Sequence, residues 1–206
     1  MIIRQLVASE RDENYQKLLL SNAERQYDFI RCIISVGIAI ERPFLSSQVI
    51  KSLNFHATAC LDLHAGEYRN HQVSVGAYTP PFHFEVQTLM DDFINFVNFN
   101  WQESDPFSLA AYVLWMMNHI HPFTNGNGRT ARAACYFVLC MKNGALLPGK
   151  MMLPELLRKN RSDYVDALKV ADASVIDCSK NLNLTPLKNL LEILIAEQLR
   201  SAEADI

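Results

Sequence analysis

The sequence has no Cys-x-x-Cys pair, and its five cysteines (Cys32, Cys60, Cys135, Cys140 and Cys178) are an odd number. That pattern argues against a disulfide framework and reads as reduced, mostly buried thiols in a cytoplasmic protein. An excess of positive charge is also missing. Nineteen Lys and Arg stand against 22 Asp and Glu, a formal net charge of -3, which leaves no basic footprint for nucleic acid. The longest apolar run, near Cys32 to Ile40, is too short for a bilayer, and Met1-Ile-Ile-Arg-Gln-Leu-Val lacks the charged and apolar regions of a leader. No membrane anchor is expected. Strand-period segments are few, and there is no internal repeat or low-complexity tract.

What remains is helix-period sequence. With 206 residues, 50% of them hydrophobic, the chain can bury one sizeable core, as a single domain or one domain with an added helical arm. The periodicity predicts helices over 9–20, 22–40, 46–63, 85–99, 107–120, 127–143, 153–157, 161–172 and 186–203. The last opens with Thr185-Pro186, a cap followed by proline at the first helical position. Its stripe of Leu187, Leu190, Leu191, Leu194, Ile195 and Leu199 is expected to pack on its own domain, although a stripe near a terminus also suits a homo-oligomer contact.

One stretch carries chemistry: His121-Pro-Phe-Thr-Asn-Gly-Asn-Gly-Arg-Thr-Ala-Arg132. Leu109, Val113, Met116 or Met117 and Ile120 fall at helical spacing, and Pro122 argues that this helix stops near His121. Ala131 to Met141 is again helix-forming. The segment therefore reads as helix, tight loop, helix. Gly126 and Gly128 let main-chain N–H groups approach a ligand, and the unpaired donors and positive dipole end of the second helix favour an anion such as phosphate. Arg129 and Arg132 share a helical face and can reach successive phosphates. The imidazole of His121, with an ordinary pKa of about 6.5, suits proton removal from a hydroxyl at neutral pH.

The pattern His-Pro-Phe-x-x-Gly-Asn-Gly-Arg-x-x-Arg resembles the signature of the Fic (filamentation induced by cyclic AMP) family, over a region running from about Leu61 to Leu168. The resemblance implies an all-α Fic fold, a helical bundle with a small β-hairpin flap. It divides the chain into N-terminal helices over 1–40 and a Fic domain over 41–206 that includes the C-terminal helix. The implied activity is that of a protein adenylyltransferase, moving AMP from ATP to a Ser, Thr or Tyr hydroxyl of a target protein with Mg²⁺ or Mn²⁺. In that family His121 is the base, Phe123 a buried anchor, Asn127 and the glycines Gly126 and Gly128 hold the α- and β-phosphates, Arg129 supports the β-phosphate and Arg132 meets the γ-phosphate. Tyr164 lies in a segment similar to one lining the adenine side of the pocket, and aromatic packing explains it equally well.

Asn125 departs from the pattern, because most members carry Asp or Glu there as a ligand to the metal. An amide oxygen brings no negative charge, so a hard cation should bind the protein more weakly. Three outcomes stay open, in this order: an AMP transferase whose metal is held mainly by the nucleotide, a transferase using another phosphate-containing donor, or a non-catalytic nucleotide-binding interaction module.

Two further segments are matched through the resemblance. Gly66-Glu-Tyr-Arg69 leads into Gln72, Val73, Ser74, Val75 and Gly76, which read as a hairpin before Pro80-Pro81 and correspond to a flap that holds the target by main-chain pairing. Ser9-Glu-Arg-Asp-Glu13-Asn14 fits the pattern of a self-inhibitory helix over 9–20, in which Glu13 would pair with Arg132. The same residues also suit an ordinary helix start, with Ser9 as its cap. His119 and His121 would point apart at a helix terminus, and no further ligand set stands at metal spacing, so no zinc site is expected. His64, His71 and His83 surround the expected flap as surface or packing residues, with target or nucleotide contact the alternative for His71 and His83.

Overall fold

The structure is a computed structural model and describes residues 3, 9–41, 44–176 and 181–203. Among these residues the order is α1 (Glu13–Ala39), α2 (Ser47–Thr58), a single 3-10 turn (His83–Glu85), α3 (Val86–Phe99), α4 (Pro106–Ile120), α5 (Asn127–Asn143), α6 (Leu153–Lys159), α7 (Arg161–Ile176) and α8 (Thr185–Glu203). The expected helices at 9–20 and 22–40 are one continuous helix, because nothing in Leu20-Ser-Asn-Ala23 breaks the hydrogen-bond ladder. Its cap is Asp12, whose carboxylate accepts from the Asn14 N–H (2.8 Å), and Ser9 instead closes the preceding turn.

The bundle is organised around α5. Ala131, Ala133 to Met141 and Thr130 are all buried, as expected of a helix surrounded on every side. It packs most extensively on α4, and also on α2, α1 and α6. Several polar side chains inside the bundle satisfy main-chain groups of neighbouring elements. Asn22 and Gln26 of α1 donate to Ala59 O and Leu53 O (both 2.8 Å), tying α1 to the end of α2. Gln198 of α8 accepts from the Leu153 N–H (2.7 Å) and donates to Leu147 O (3.0 Å). That bond pair holds the connection from α5 to α6 in place. Leu187, Leu191, Leu194 and Ile195 are buried in the common core, so the α8 stripe packs on its own domain as expected.

The β-hairpin flap is a correction. Among the described residues there is no strand; Val75 and Tyr78 exchange two main-chain hydrogen bonds (2.9 and 3.0 Å) around Gly76, forming an isolated bridge. Pairing stops there because Pro80 and Pro81 lack N–H groups, and Pro80 O is taken by the Gln72 side chain (2.9 Å). A ladder this short has no second strand pair to stabilise it. The thiols are also corrected in part: Cys135 and Cys140 are buried, Cys32 and Cys60 are exposed, all four are free, and Cys178 lies outside the described residues. None of the described helices is long and apolar enough to cross a membrane.

Candidate active site

The site grows from the junction of α4 and α5. Asp105 caps α4, accepting from the Ser108 N–H (3.0 Å), with Pro106 at the first helical position. At the other end Pro122 disfavours further helix, and His121 takes up a left-handed conformation (φ 51°, ψ 58°). This turn throws the imidazole to the rim of a cavity of about 330 Å³ whose walls are His121, Thr124 to Arg129 and Arg132. Burial pulls the His121 pKa down to about 4, a hydrogen bond with the Asn118 main chain opposes that, and nearby Arg69 adds to the lowering. The ring is neutral at pH 7, with one nitrogen engaged by main chain and the other available to take a proton.

The floor of the cavity is the N-terminus of α5. Gly126 caps it in the left-handed region (φ 77°), and Thr130 is the first residue whose N–H returns to the loop, on Gly126 O (2.9 Å). The N–H groups of Asn127, Gly128 and Arg129 precede the intrahelical ladder and face the cavity as an anion nest. The Asn127 side chain is not part of that nest. It is buried and clamps Phe123, accepting from its N–H (2.9 Å) and donating to its carbonyl (2.7 Å). Phe123 itself is almost fully buried in the core, as expected of an anchor.

The two arginines differ. Arg129 reaches back to α2, donating to Ala57 O, and also to Asn125 Oδ1 (3.3 Å). Arg132 Nε is buried and has no protein acceptor among the described residues, an unmet donor of the kind an anion satisfies. Burial lowers the pKa of both, yet a guanidinium stays charged. Arg132 and Arg129 also border a second, larger cavity of about 810 Å³, bounded by Tyr15, Leu19 and Tyr27 of α1 and by Met151, Met152 and Pro154 before and within α6. The two cavities share Asn125, Arg129 and Arg132, and together offer a cationic, anion-receiving end and an aromatic, thioether-lined end.

The residues present do not fit a protein-held divalent cation. Asn125 Oδ1 already accepts from the Gly126 N–H (2.6 Å) and from Arg129, and a donor-facing amide beside a guanidinium repels a cation. No cluster of three metal-ligating side chains occurs among the described residues. Glu13 is not brought to Arg132; it pairs with Lys17 (2.6 Å) on the solvent side of the first turn of α1, its side chain 80% exposed. Ser9 and Asn14 are likewise exposed. Tyr164 is buried, its hydroxyl accepting from Asn118 Nδ2 (2.7 Å), and it lines neither cavity. His119 contacts Tyr78 and Asp172 rather than the loop.

Two residues were not singled out by sequence reasoning. Asn54 of α2, buried in the stripe of Ile50, Leu53 and Ala57, donates to Asn125 O (2.9 Å) and Thr130 Oγ1 (3.2 Å) and accepts from the Gly66 N–H (3.0 Å). A lone amide on an apolar helix face was the available signal, since such groups are kept only when bonded. Arg69 is the second: the sequence placed it only as the end of the Gly66-Glu-Tyr-Arg69 segment, with no role of its own, and its contacts reach the backbone of His121 itself (2.9 Å from Nε).

The loop and bundle around it have known counterparts. A family model described as Fic/DOC matches residues 44–139. The chain carries a Fic/DOC-family domain. Relatives named protein adenylyltransferase Fic include those of Drosophila persimilis, 30% identical over 149 residues covering 66% of this chain, and of Drosophila willistoni, 29% identical over the same length. The chain spans only 28% of the length of either relative. The Fic domain also superposes on Fic-1 (residues 134–508) from C. elegans, with a TM-score of 0.72 at 20% identity, covering all of this chain and 57% of that one. A Fic domain containing signalling protein from Bacteroides thetaiotaomicron gives 0.66 at 24% identity, covering 89% and 70%. These likenesses establish a helical Fic fold.

Proposed function

We propose that this chain is a protein adenylyltransferase that transfers AMP from ATP to a hydroxyl side chain of a target protein, releasing pyrophosphate. The observation that carries the reading is the joined cavity: a neutral, buried-edge imidazole at its rim, an N–H nest and an unmet Arg132 donor at its floor, and an aromatic pocket beyond. The adenylyltransferase names of the relatives support it. The triphosphate would lie on the Asn127 to Arg129 main chain and Arg132, with the purine between Tyr15, Tyr27 and the two methionines. His121 takes the proton of the attacking hydroxyl as the oxygen–phosphorus bond forms at the α-phosphorus and the bond to pyrophosphate breaks. Segment 72–76, whose flanking residues Arg69 and Tyr78 are bonded to the main chain at the end of α4, is the place for the target chain. Mg²⁺ or Mn²⁺ enters this reading only as a companion of the triphosphate, since Asn125 is committed elsewhere. We further propose a cytoplasmic location. If α1 restrains the site, it does so as the wall holding Tyr15 and Tyr27, and not through Glu13.

The test is self-modification or modification of a hydroxyl-bearing acceptor with ATP labelled at the α- or γ-position. Label from the α-position alone is the expected result; label from the γ-position would replace AMP transfer by phosphate transfer. Asn125→Asp should strengthen dependence on Mg²⁺, because the new carboxylate adds a charged oxygen ligand. An unchanged Mg²⁺ titration would contradict the account of Asn125.

The pH dependence follows from the sign of the His121 shift. Protonation disables the base, and the free-enzyme pKa lies at about 4, so kcat/KM should stay flat from about pH 8 down to about pH 5 before any acid limb. An acid limb centred near the ordinary histidine value would show that the ring is not held as the structure has it.

A further inference from the structure

Three successive carbonyls at the end of α4 are claimed by two side chains from one segment. Tyr78 Oη donates to His119 O (2.8 Å), Arg69 Nη2 to Ile120 O (3.3 Å) and Arg69 Nε to His121 O (2.9 Å). The remaining reach of Arg69 goes to its own segment: Nη1 donates to His71 O (3.1 Å) and Nη2 to Pro81 O (2.6 Å). The Arg69 main-chain N–H also donates to Pro122 O (2.8 Å). Arg69 is 3% exposed, and every acceptor named here is a main-chain carbonyl. Desolvating a guanidinium is costly, and the partial negative charge at a helix C-terminus offsets part of that cost.

The geometry of those acceptors is selective. They belong to two stretches of backbone only: the left-handed turn that presents the His121 imidazole, and the start and end of the segment 71–81. We propose that Arg69 is a positioning residue for the transfer, bridging these two stretches so that the acceptor-binding segment and the His121 ring are held at one separation. This rests on the adenylyltransferase reading above. Tyr78 is the second attachment. Its hydroxyl meets His119, whose Nδ1 stands 3.3 Å from Asp172 Oδ1, and that carboxylate also accepts from Trp115 Nε1 (2.8 Å). The tip of the segment is thereby referenced to α7 as well as to α4.

A planar fork is required for this bridge. Lysine offers a point charge with three donors and cannot span carbonyls lying on opposite sides of a guanidinium plane. The nucleotide side is untouched by the substitution, because the α5 N–H groups, Arg129 and Arg132 make no contact with Arg69 among the hydrogen bonds described. Misplacement by about 1 Å of a group that must meet a reacting hydroxyl costs about 10²-fold in rate.

The experiment compares wild type, Arg69→Lys, Arg69→Met and Tyr78→Phe in four measurements: ATP affinity by calorimetry, the thermal unfolding midpoint, steady-state transfer to dephosphorylated casein, and NMR titration of the His121 ring. For Arg69→Lys, ATP affinity should stay within about twofold while kcat falls about 10²-fold. Tyr78→Phe should raise the KM for casein with kcat little changed. In Arg69→Met the His121 midpoint should move up, since a neighbouring positive charge is lost and the ring gains water. Parallel loss of ATP affinity, thermal midpoint and rate in Arg69→Lys would reduce Arg69 to a structural role and overturn the proposal, as would wild-type rates in Arg69→Lys. If Arg69→Met fails to fold, Arg69→Lys decides. If wild type incorporates α-label into neither casein nor itself, the adenylyltransferase reading fails by itself; an unmoved His121 midpoint in Arg69→Met overturns the positioning role separately.

Discussion

Replacing His121 with alanine should lower AMP transfer by about 10²- to 10⁴-fold while leaving ATP affinity within about threefold, the range expected for loss of a general base that does not hold the nucleotide. The split between rate and binding follows from where the ring sits. His121 occupies the rim of the smaller cavity, whereas the floor and its donors belong to α5. Burial keeps the imidazole unprotonated at neutral pH, so its lone pair is available at the moment a hydroxyl approaches phosphorus. Among the described residues the neighbouring histidine does not substitute for it: His119, two residues earlier, is directed to Tyr78 and Asp172. The check is the initial rate of α-label incorporation beside equilibrium binding of ATP. A variant that kept more than about a tenth of the wild-type rate would show that the hydroxyl proton leaves by another route.

Gly126→Ala should both destabilise the fold, by about 2–4 kcal/mol, and weaken ATP binding more than about tenfold. Two costs combine. A non-glycine residue in the left-handed region is strained by about 1 kcal/mol, and overpacking a filled interior adds about 1–3 kcal/mol. Gly126 has φ +77°, and a Cβ there would stand 2.5 Å from Thr58 Cγ2 and 3.1 Å from Asn54 Nδ2. Both neighbours are buried on α2, and Thr58 is stiff about χ1, so relief requires α2 and the loop to part. Parting them breaks the Asn54 bond to Asn125 O and tilts the N–H nest away from the phosphate. Gly76→Ala is the control. Gly76 also has positive φ, +60°, but a Cβ would meet nothing within 4 Å, so only the backbone strain of about 1 kcal/mol is expected and ATP affinity should not change. Denaturant unfolding and ATP calorimetry on both variants separate the contributions; equal effects at the two positions would mean that packing against α2 does not shape the loop.

Much of the site was legible because its logic is local. Pro122 after a helix-period run, glycines at 126 and 128, and arginines three apart define a helix–loop–helix anion site within twelve residues, and the ends of α4 and α5 fall within a residue of the sequence expectation. The Thr185-Pro186 helix start and the stripe behind it were legible for the same reason. The flap was misread because Gln72 to Gly76 has strand-like alternation, yet a ladder needs a partner with free N–H groups, and Pro80 and Pro81 supply none. The sequence left Glu13 open between an inhibitory contact and an ordinary helix start because a short pattern says nothing about helix phase. Once Asp12 caps α1, Glu13 falls in its first turn beside Lys17 and faces solvent.

By itself, then, the sequence determined a helical protein with a phosphate-receiving turn and a histidine at its rim, since hydrophobic period, proline and glycine act over a few residues. Tertiary structure alone decided what braces that turn and what surrounds it. Asn54 meets Asn125 across 71 residues, Arg69 meets His121 across 52, and α1 supplies one wall of the larger cavity. Such contacts depend on how helices dock, and docking is set by the whole buried surface rather than by any segment read alone.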